Sequence, residues 1–396
     1  MKEWKKVKLG ELCHFINGGA WSDKEYVPEG VPVLKVTNCK KTGFDLSDIN
    51  YLPLSSQKKY SHNELHLHDV IIATVGSHPN LVNSSAGRSV IVNSLVSGFY
   101  LNQNAVCVRT KDKNTLNQLY FGYYSKYYLF QNYIQMRGKG AANQMRIAIS
   151  SIKDYPMPLP PIEHQMYIAD ILSRYDSLIE NYQKQIKLLE ESAQRLYKEW
   201  FIDLRFPGHE NTKIVDGVPE GWEKKKINEI ALLKAGGDKP EIVSENRTKI
   251  CNIPIYSNGT SNEGLYGYTD KPEITEHCIT ISARGSVGYT VMRRKPFVPI
   301  VRLISVIPQS IYVGYLYFYT KQIPLDSNGA AQQQITIPMI RDKEIIIPTN
   351  FILDELERCL EPMFKHIDDL KSLIRHLTEA RDRLLPKLMS EEIKIN

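Results

Sequence analysis

Apolar residues recur along two stretches of the chain at alternating spacings of three and four. The first series is Leu172, Tyr175, Ile179, Tyr182, Ile186, Leu189, Ala193, Leu196 and Trp200. The second is Leu360, Met363, Ile367, Leu370, Ile374, Leu377, Arg381, Leu384 and Leu388, each member the first series plus 188. A heptad stripe predicts a long helix with a narrow seam. One stripe alone is often the buried face of an ordinary helix, but two in one register predict that the helices pack on each other. Residues 162–204 hold neither Pro nor Gly. At ~1.5 Å per residue such a rod extends up to ~65 Å and would hold two globular parts apart. Pro362 predicts a kink or a start in the second helix, and Pro386 a bent end. Only Arg381, aligned with Ala193, interrupts the seam.

Elsewhere the pattern changes to short β-branched runs bounded by Gly, Asn, Ser or Pro. Val70–Val75, Val90–Val92, Ala105–Val108, Cys278–Ile281 and Leu303–Ile307 predict strands, and Tyr120–Tyr133 predicts an aromatic-rich helix. The succession occurs twice. Trp4 and Leu9-Gly-Glu-Leu12 match Trp222 and Ile227-Asn-Glu-Ile230, and Gly18-Gly19 matches Gly236-Gly237. Val31–Leu34 matches Ile253–Tyr256, Gly76-Ser77 matches Gly285-Ser286, and Tyr120–Tyr123 matches Tyr312–Tyr315. GAANQ at 140–144 matches GAAQQ at 329–333, and Pro160 and Pro348 close the two copies. The offset falls from 218 to 188, which removes about 30 residues from loops of the second copy. The predicted fold class is α/β (α+β): two β-rich units, at 1–161 and 206–350, each followed by a long helix, at 162–205 and 351–396.

The 396 residues are 42% hydrophobic and 24% charged, which suits two or three soluble domains and excludes a mostly disordered chain. No apolar run approaches the ~18 residues of a membrane span, and the basic start lacks a signal-peptide core, so a cytoplasmic location is expected. Six scattered cysteines without a CxxC pair predict neither a disulfide framework nor a zinc ribbon. The net charge of +6 is uneven: +8 over 1–161, −2 over 162–205, +2 over 206–350 and −2 over 351–396. That alternation is compatible with nucleic-acid contact by the two larger segments.

Catalytic signatures are missing. There is no Walker A loop, HExxH, Rossmann fingerprint or Asn-Pro-Pro-aromatic motif. Gly138-Lys139-Gly140 lacks the strand and helix start of a phosphate loop. His66, His68 and Asp69 within HNELHLHD could hold a metal, but no second cluster completes a site, so a solvated or DNA-facing loop is expected. No Ser-His-Asp or Cys-His arrangement stands out. No catalytic residue, metal or cofactor is therefore expected in this chain.

Arg, Lys, Asn and Gln read base edges best, and Lys, Arg and Ser hold phosphates. The polar loop candidates of the first unit are Lys35, Asn38, Lys40, Lys41, Ser77, Arg88, Arg137, Lys139, Asn143, Gln144 and Arg146. Those of the second are Ser257, Asn258, Arg284, Ser286, Arg293, Arg294, Gln332, Gln333 and Gln334. Any of them could equally be an ordinary solvated side chain. Ser257-Asn258-Gly259 and Arg284-Gly285-Ser286 follow apolar runs, where loop readers belong. GAANQ and GAAQQ could equally be a structural turn entering a closing strand.

The segments GAANQMRIAISSIKDYPMPLPPIEHQ and GAAQQQITIPMIRDKEIIIP, with LYKEWFIDLRFPG and LTEARDRLLPKLMS at the helix ends, resemble the DNA specificity (S) subunit of type I restriction-modification systems. The resemblance covers essentially the whole chain. It implies two target-recognition domains, each reading half of a bipartite DNA site, and an antiparallel coiled coil, related by a pseudo-two-fold repeat, that sets the spacer. It implies a non-catalytic chain bound to double-stranded DNA and to two copies of a methyltransferase (modification) subunit, joined by restriction subunits. S-adenosylmethionine, ATP and Mg²⁺ belong to those partners. Tyr197, Glu199, Phe201 and Arg205 are candidates to face the modification subunit. Two unlike readers, +8 and +2, predict an asymmetric site, and one turn of B-DNA, ~34 Å, lies within the helix length. The second helix lacks the Pro-Pro and Gln that precede the first, and Ser390 is followed by Glu rather than Gly; these departures predict unequal docking of the two partners. Two other readings remain: a nuclease with a hidden active site, and a coiled-coil scaffold without DNA.

Overall fold

The runs Val70–Ala73 and Cys278–Ile281 are buried at every position, with Thr280 the one polar residue, as befits a strand covered on both faces. In the computed structural model each lies inside a four-stranded sheet. The structure describes residues 4–40, 43–46, 48–77, 85–141, 144–323, 334–390 and 392–393. They form two compact units, Met1–Tyr182 with Ser372–Asn396, and Gln183–Lys371.

The first unit contains β1 (Cys13–Asn17), β2 (Val31–Leu34), β3 (Asn50–Leu52), β4 (Val70–Ala73), β5 (Val75–Gly76), β6 (Ser89–Ile91), β7 (Tyr100–Leu101) and β8 (Ala105–Thr110). Helices α1 (Gln118–Tyr124) and α2 (Tyr128–Gln135) follow, then β9 (Lys139–Ala141), β10 (Gln144–Arg146) and the first part of α3 (Ile162–Phe201). The main sheet is antiparallel in the order β1-β8-β4-β6. Its faces alternate with the two-residue period of a strand. Val70, Ile72, Val106 and Val108 pack with Tyr120, Phe121 and Phe130, whereas Ile71, Ala105 and Cys107 pack with Leu34, Leu65 and Val92. A second sheet sets β7 parallel to β2, with β3 antiparallel on the other side.

The second unit repeats this plan with β11 (Ala231–Ala235), β12 (Ile253–Tyr256), β13 (Leu265–Thr269), β14 (Cys278–Ile281), β15 (Thr290–Arg293), β16 (Val298–Pro299), β17 (Ile304–Pro308), α4 (Val313–Thr320) and α5 (Asn350–Met389). Its main sheet runs β11-β17-β14-β15, and β16 lies parallel to β12 as β7 does to β2. The paired glycines explain one repeated motif. Gly18 N–H bonds the Ala105 carbonyl and Gly236 N–H the Leu303 carbonyl. A Cβ on Gly18 would stand 1.9 Å from the Asn102 carbonyl oxygen, and on Gly236 2.6 Å from the Pro299 carbonyl carbon. Only glycine permits the chain to pass there.

The heptad stripes are two 40-residue helices, and no member of either seam is exposed. Within the first unit, Ile168 and Leu172 near the start of α3 share a core with Leu388 and Met389 near the end of α5. Within the second, Ala193 and Tyr197 near the end of α3 share a core with Leu360, Phe364 and Ile367 of early α5. The helices therefore run antiparallel. Each fully buried leucine of the seam contributes about 1.5–3 kcal/mol.

Three expectations change. Pro362 does not start the second helix, which begins at Asn350, and both Pro362 and Pro386 lie inside it. Pro362 faces solvent, flanked by the seam contacts of Leu360, Met363 and Phe364, which hold the helical path although one backbone bond is lost. Tyr120–Tyr133 is two helices rather than one. Ser125–Tyr127 intervenes, with Tyr127 extended (φ −69°, ψ 141°) and the Ser125 hydroxyl donating to the Gly122 carbonyl at 2.7 Å. Lys139 and Arg146, grouped with the polar loop candidates, lie instead in strands β9 and β10 of a hairpin.

Candidate nucleic-acid interface

Charge on a folded surface is available to DNA only where the protein has not already neutralised it. Among the candidate readers of the first unit, those at one hairpin meet this condition. Hairpin β9–β10 sets Lys139 directly opposite Arg146, and β10 pairs onward with β5. Cross-strand partners share a face, and like charges there repel. Both side chains are exposed and neither forms an ion pair among the described residues. Arg137, just before the hairpin, is exposed as well. Its guanidinium lies 3.5 Å from the Tyr133 ring centre and donates to the Tyr133 carbonyl, so it is aimed but not neutralised. Ser77 follows β5 at the same sheet edge and is half-buried. Asn143 lies outside the described residues, as does the side chain of Gln144.

The loop after β2 is built differently. Asn38 is buried; its Oδ1 accepts from Lys35 N–H at 2.9 Å and its Nδ2 donates to the carbonyls of Asp45 and Asp48. Lys35 pairs with Asp48 at 3.4 Å and Lys40 with Asp45 at 3.7 Å. Arg88 donates to the Cys39 carbonyl at 2.7 Å, and burial pushes its pKa down. Asn38 and Arg88 thus brace this loop from beneath. Lys41 lies outside the described residues.

In the second unit Arg284 and Ser286 are exposed in the loop after β14. Among the described residues the guanidinium of Arg284 has one side-chain partner, the neutral Oε1 of Gln334 at 3.2 Å. Ser257 is half-buried, its N–H donating to the Gly264 carbonyl. Asn258 is spent on backbone: Oδ1 accepts from Ala283 N–H at 2.7 Å and Nδ2 donates to the Val301 carbonyl at 2.6 Å. Gln332 and Gln333 lie outside the described residues.

Two expected readers are structural. Arg293 is 4% exposed, with its guanidinium 3.6 Å from the Tyr256 ring centre. It donates to Thr280 Oγ1 and to the carbonyl and carboxylate of Glu263. Burial pushes its pKa down, against the pull of Tyr256 and Glu263. Arg294 forms a fork with Glu361 at 2.7 and 2.8 Å and reaches Asp368 at 2.8 Å, both on α5. Hydrogen bonds to Glu361 push its pKa up. A buried cation must be paired, and a paired one does not leave for a ligand.

The HNELHLHD segment is also structural. Asp69 is 2% exposed, accepts two bonds from Arg109 at 2.6 and 2.7 Å and one from His66 N–H. Among the described residues no group of three His, Cys, Asp or Glu side chains could hold a metal. On the helices, Tyr197 faces inward against Tyr315, Phe318 and Phe201, because it stands one step beyond Leu196 on the widened core face. Phe201 is half-buried against Trp222, while Glu199 and Arg205 are exposed. No helix among the described residues is long and apolar enough to cross a membrane.

One network has no signature in any local motif. Glu263 N-terminal to β13 bonds Lys371 of α5 at 2.6 Å as well as Arg293. Burial pushes the Glu263 carboxyl up, but Lys371 and Arg293 outweigh it and hold it below the usual carboxylate range. These partners are 108 and 30 residues away, beyond any local motif.

The profile described as type I restriction modification DNA specificity domain matches residues 1–191 and again 219–368. The specificity subunit of the MjaIX type I restriction enzyme of Methanocaldococcus jannaschii is 32% identical over 269 residues, covering 62% of each chain. The chain thus spans under two thirds of that relative's length. The HindI specificity subunit of Haemophilus influenzae is 22% identical over 99% of this chain and 100% of its own. The crystal structure of the type I restriction-modification S subunit from M. genitalium superposes with a TM-score of 0.57 at 18% identity, covering 97% of this chain and 96% of that one, which shows a shared fold. With its doubled sheet unit, its two antiparallel helices and a profile match in each half, this chain belongs to the type I restriction-modification DNA specificity family.

Proposed function

We propose that this chain is the DNA-recognition subunit of a type I restriction-modification complex. Each unit reads one half of a bipartite, asymmetric target, and the helices set the gap between the halves. The observation that carries this reading is positive charge without an ion-pair partner among the described residues, on the β9–β10 hairpin and its approach in one unit (Arg137, Lys139 and Arg146) and on the loop after β14 in the other (Arg284), in units whose four-stranded sheets share one strand order. Two copies of a methyltransferase subunit dock along the helical regions, and restriction subunits complete the enzyme. S-adenosylmethionine, ATP and Mg²⁺ serve those partners, and this chain contributes specificity rather than catalysis. The complex works in the cytoplasm, where the chromosome is.

Selection of duplexes from a random pool by the chain copurified with its methyltransferase partner tests this. Two short defined blocks with a fixed gap are expected, with affinity falling steeply as salt rises because phosphate contacts release counterions. Binding that selects no sequence would refute the reading.

A further inference from the structure

Three loops of the second unit converge on Asn258. One of its bonds holds the backbone of Ala283 and the other that of Val301. Each of those residues immediately precedes an arginine, Arg284 and Arg302. Both arginines are exposed, and neither forms an ion pair among the described residues. An unpaired surface arginine is ordinary. The backbone beneath Arg302 is not.

Val301 and Arg302 both adopt left-handed φ values, 54° and 60°. Side chains disfavour that region, and a β-branched residue there is an outlier. The first unit shows what the scaffold alone requires. Gly19 bridges Asn102 as Gly237 bridges Ile300, and Gln103 N–H bonds Gly19 as Val301 N–H bonds Gly237. Asn104 therefore stands where Arg302 stands, at φ 72°. Asn tolerates this conformation, and Gln103 does not share it. The second unit adds a left-handed residue and fills both positions with side chains that resist it. Strain that the fold does not need points to the side chains themselves. Val301 is 52% exposed, so core packing does not explain it either.

We infer that Arg284 and Arg302 are a pair of guanine readers for the half-site of the second unit, with Asn258 as the positioning residue that fixes one against the other. This rests on the recognition reading above. The planar fork of a guanidinium matches O6 and N7 of guanine in the major groove, and a single amide anchoring both backbones removes the freedom that would blur that match.

The test is the genomic adenine-methylation map of the source cell with each variant replacing the wild-type chain. Arg302→Gly and Arg284→Ala should each relax one guanine of the same half-site, with discrimination there falling about 5- to 100-fold, while the other half stays intact. Glycine accepts φ near 60° without strain, so Arg302→Gly should also raise the melting temperature, which separates lost reading from lost folding. Asn258→Asp keeps the acceptor for Ala283 but loses the donor to Val301, and should relax the Arg302 position alone; Asn258→Ala should relax both. An unaltered motif in Arg302→Gly and Arg284→Ala overturns the inference. So does uniform weakening with the motif retained, the mark of a phosphate contact, or relaxation in different halves. A wild-type chain that directs no bipartite motif would instead remove the recognition reading itself, and this inference with it.

Discussion

Arg381 is the one charged residue in the helix seam, and replacing it tests whether that position is a defect or a designed contact. Its Nη1 lies 2.5 Å from Asp176 Oδ1, and Asp176 Oδ2 accepts the Tyr123 hydroxyl at 2.7 Å. The pair is mostly covered, at 16% and 26% side-chain exposure. Lys126 feels both charges: burial pushes its ammonium down, Asp176 pulls it up and Arg381 pushes it down again. Breaking a fully buried pair from one side costs about 3–5 kcal/mol, and breaking an exposed one costs about 0–1 kcal/mol. Arg381→Ala lies between these. Asp176 keeps the Tyr123 bond and draws closer electrostatically to Lys126, so the expected loss is about 2 kcal/mol. For a unit of this size that lowers the melting temperature by about 4–8 °C. The double variant Arg381→Leu with Asp176→Asn retains an acceptor for Tyr123 and restores an apolar seam. It should return to within about 1 kcal/mol of wild type, since apolar replacement of both partners is often neutral. Thermal and urea unfolding measure both. A loss under about 0.5 kcal/mol in the single variant, or a double variant no better than the single, would refute the reasoning.

Other consequences follow from the same geometry. Gly18→Ala forces a Cβ against the Asn102 carbonyl and should cost about 3 kcal/mol or more, whereas Gly237→Ala meets nothing within 4 Å and should stay within about 0.5 kcal/mol; equal urea midpoints would contradict this. Glu263 has a lowered carboxyl pKa in the folded chain, so its contribution to the second unit is fully present above the ordinary value of ~4.3 and is lost as pH falls through the lower folded value. Lys371→Met should flatten that acid limb in unfolding midpoints taken from pH 6 to 3, and an unchanged limb would count against the Glu263 network. Deleting one heptad from a long helix should change the gap in the recognised DNA, and an unchanged gap would sink the ruler.

The helices and sheets were legible because their signals are local. A seam repeats every 3.5 residues, and a strand buried on both faces shows as an unbroken apolar run. The glycine pairs were visible as a repeat, but their reason, a carbonyl some 80 residues on in the first unit, was not. Candidate readers were less legible. Arg284 and Arg293 look alike in sequence, yet one is exposed and the other lies under Tyr256, and only partners brought in by the fold distinguish them. Arg294 is claimed by two carboxylates 67 and 74 residues away. Arg302 drew no attention because its signal is a backbone angle, not a residue pattern.

If this chain chooses a bipartite DNA sequence for adenine methylation, that choice must be written in the genome of its cell. The most direct measurement is the adenine-methylation map of the source cell with the gene intact and deleted. One motif, two short defined halves with a fixed gap, should be methylated in the first and unmethylated in the second. A bipartite motif that persists after deletion, in a cell where this chain is shown to be made and to hold its methyltransferase partner, would contradict it.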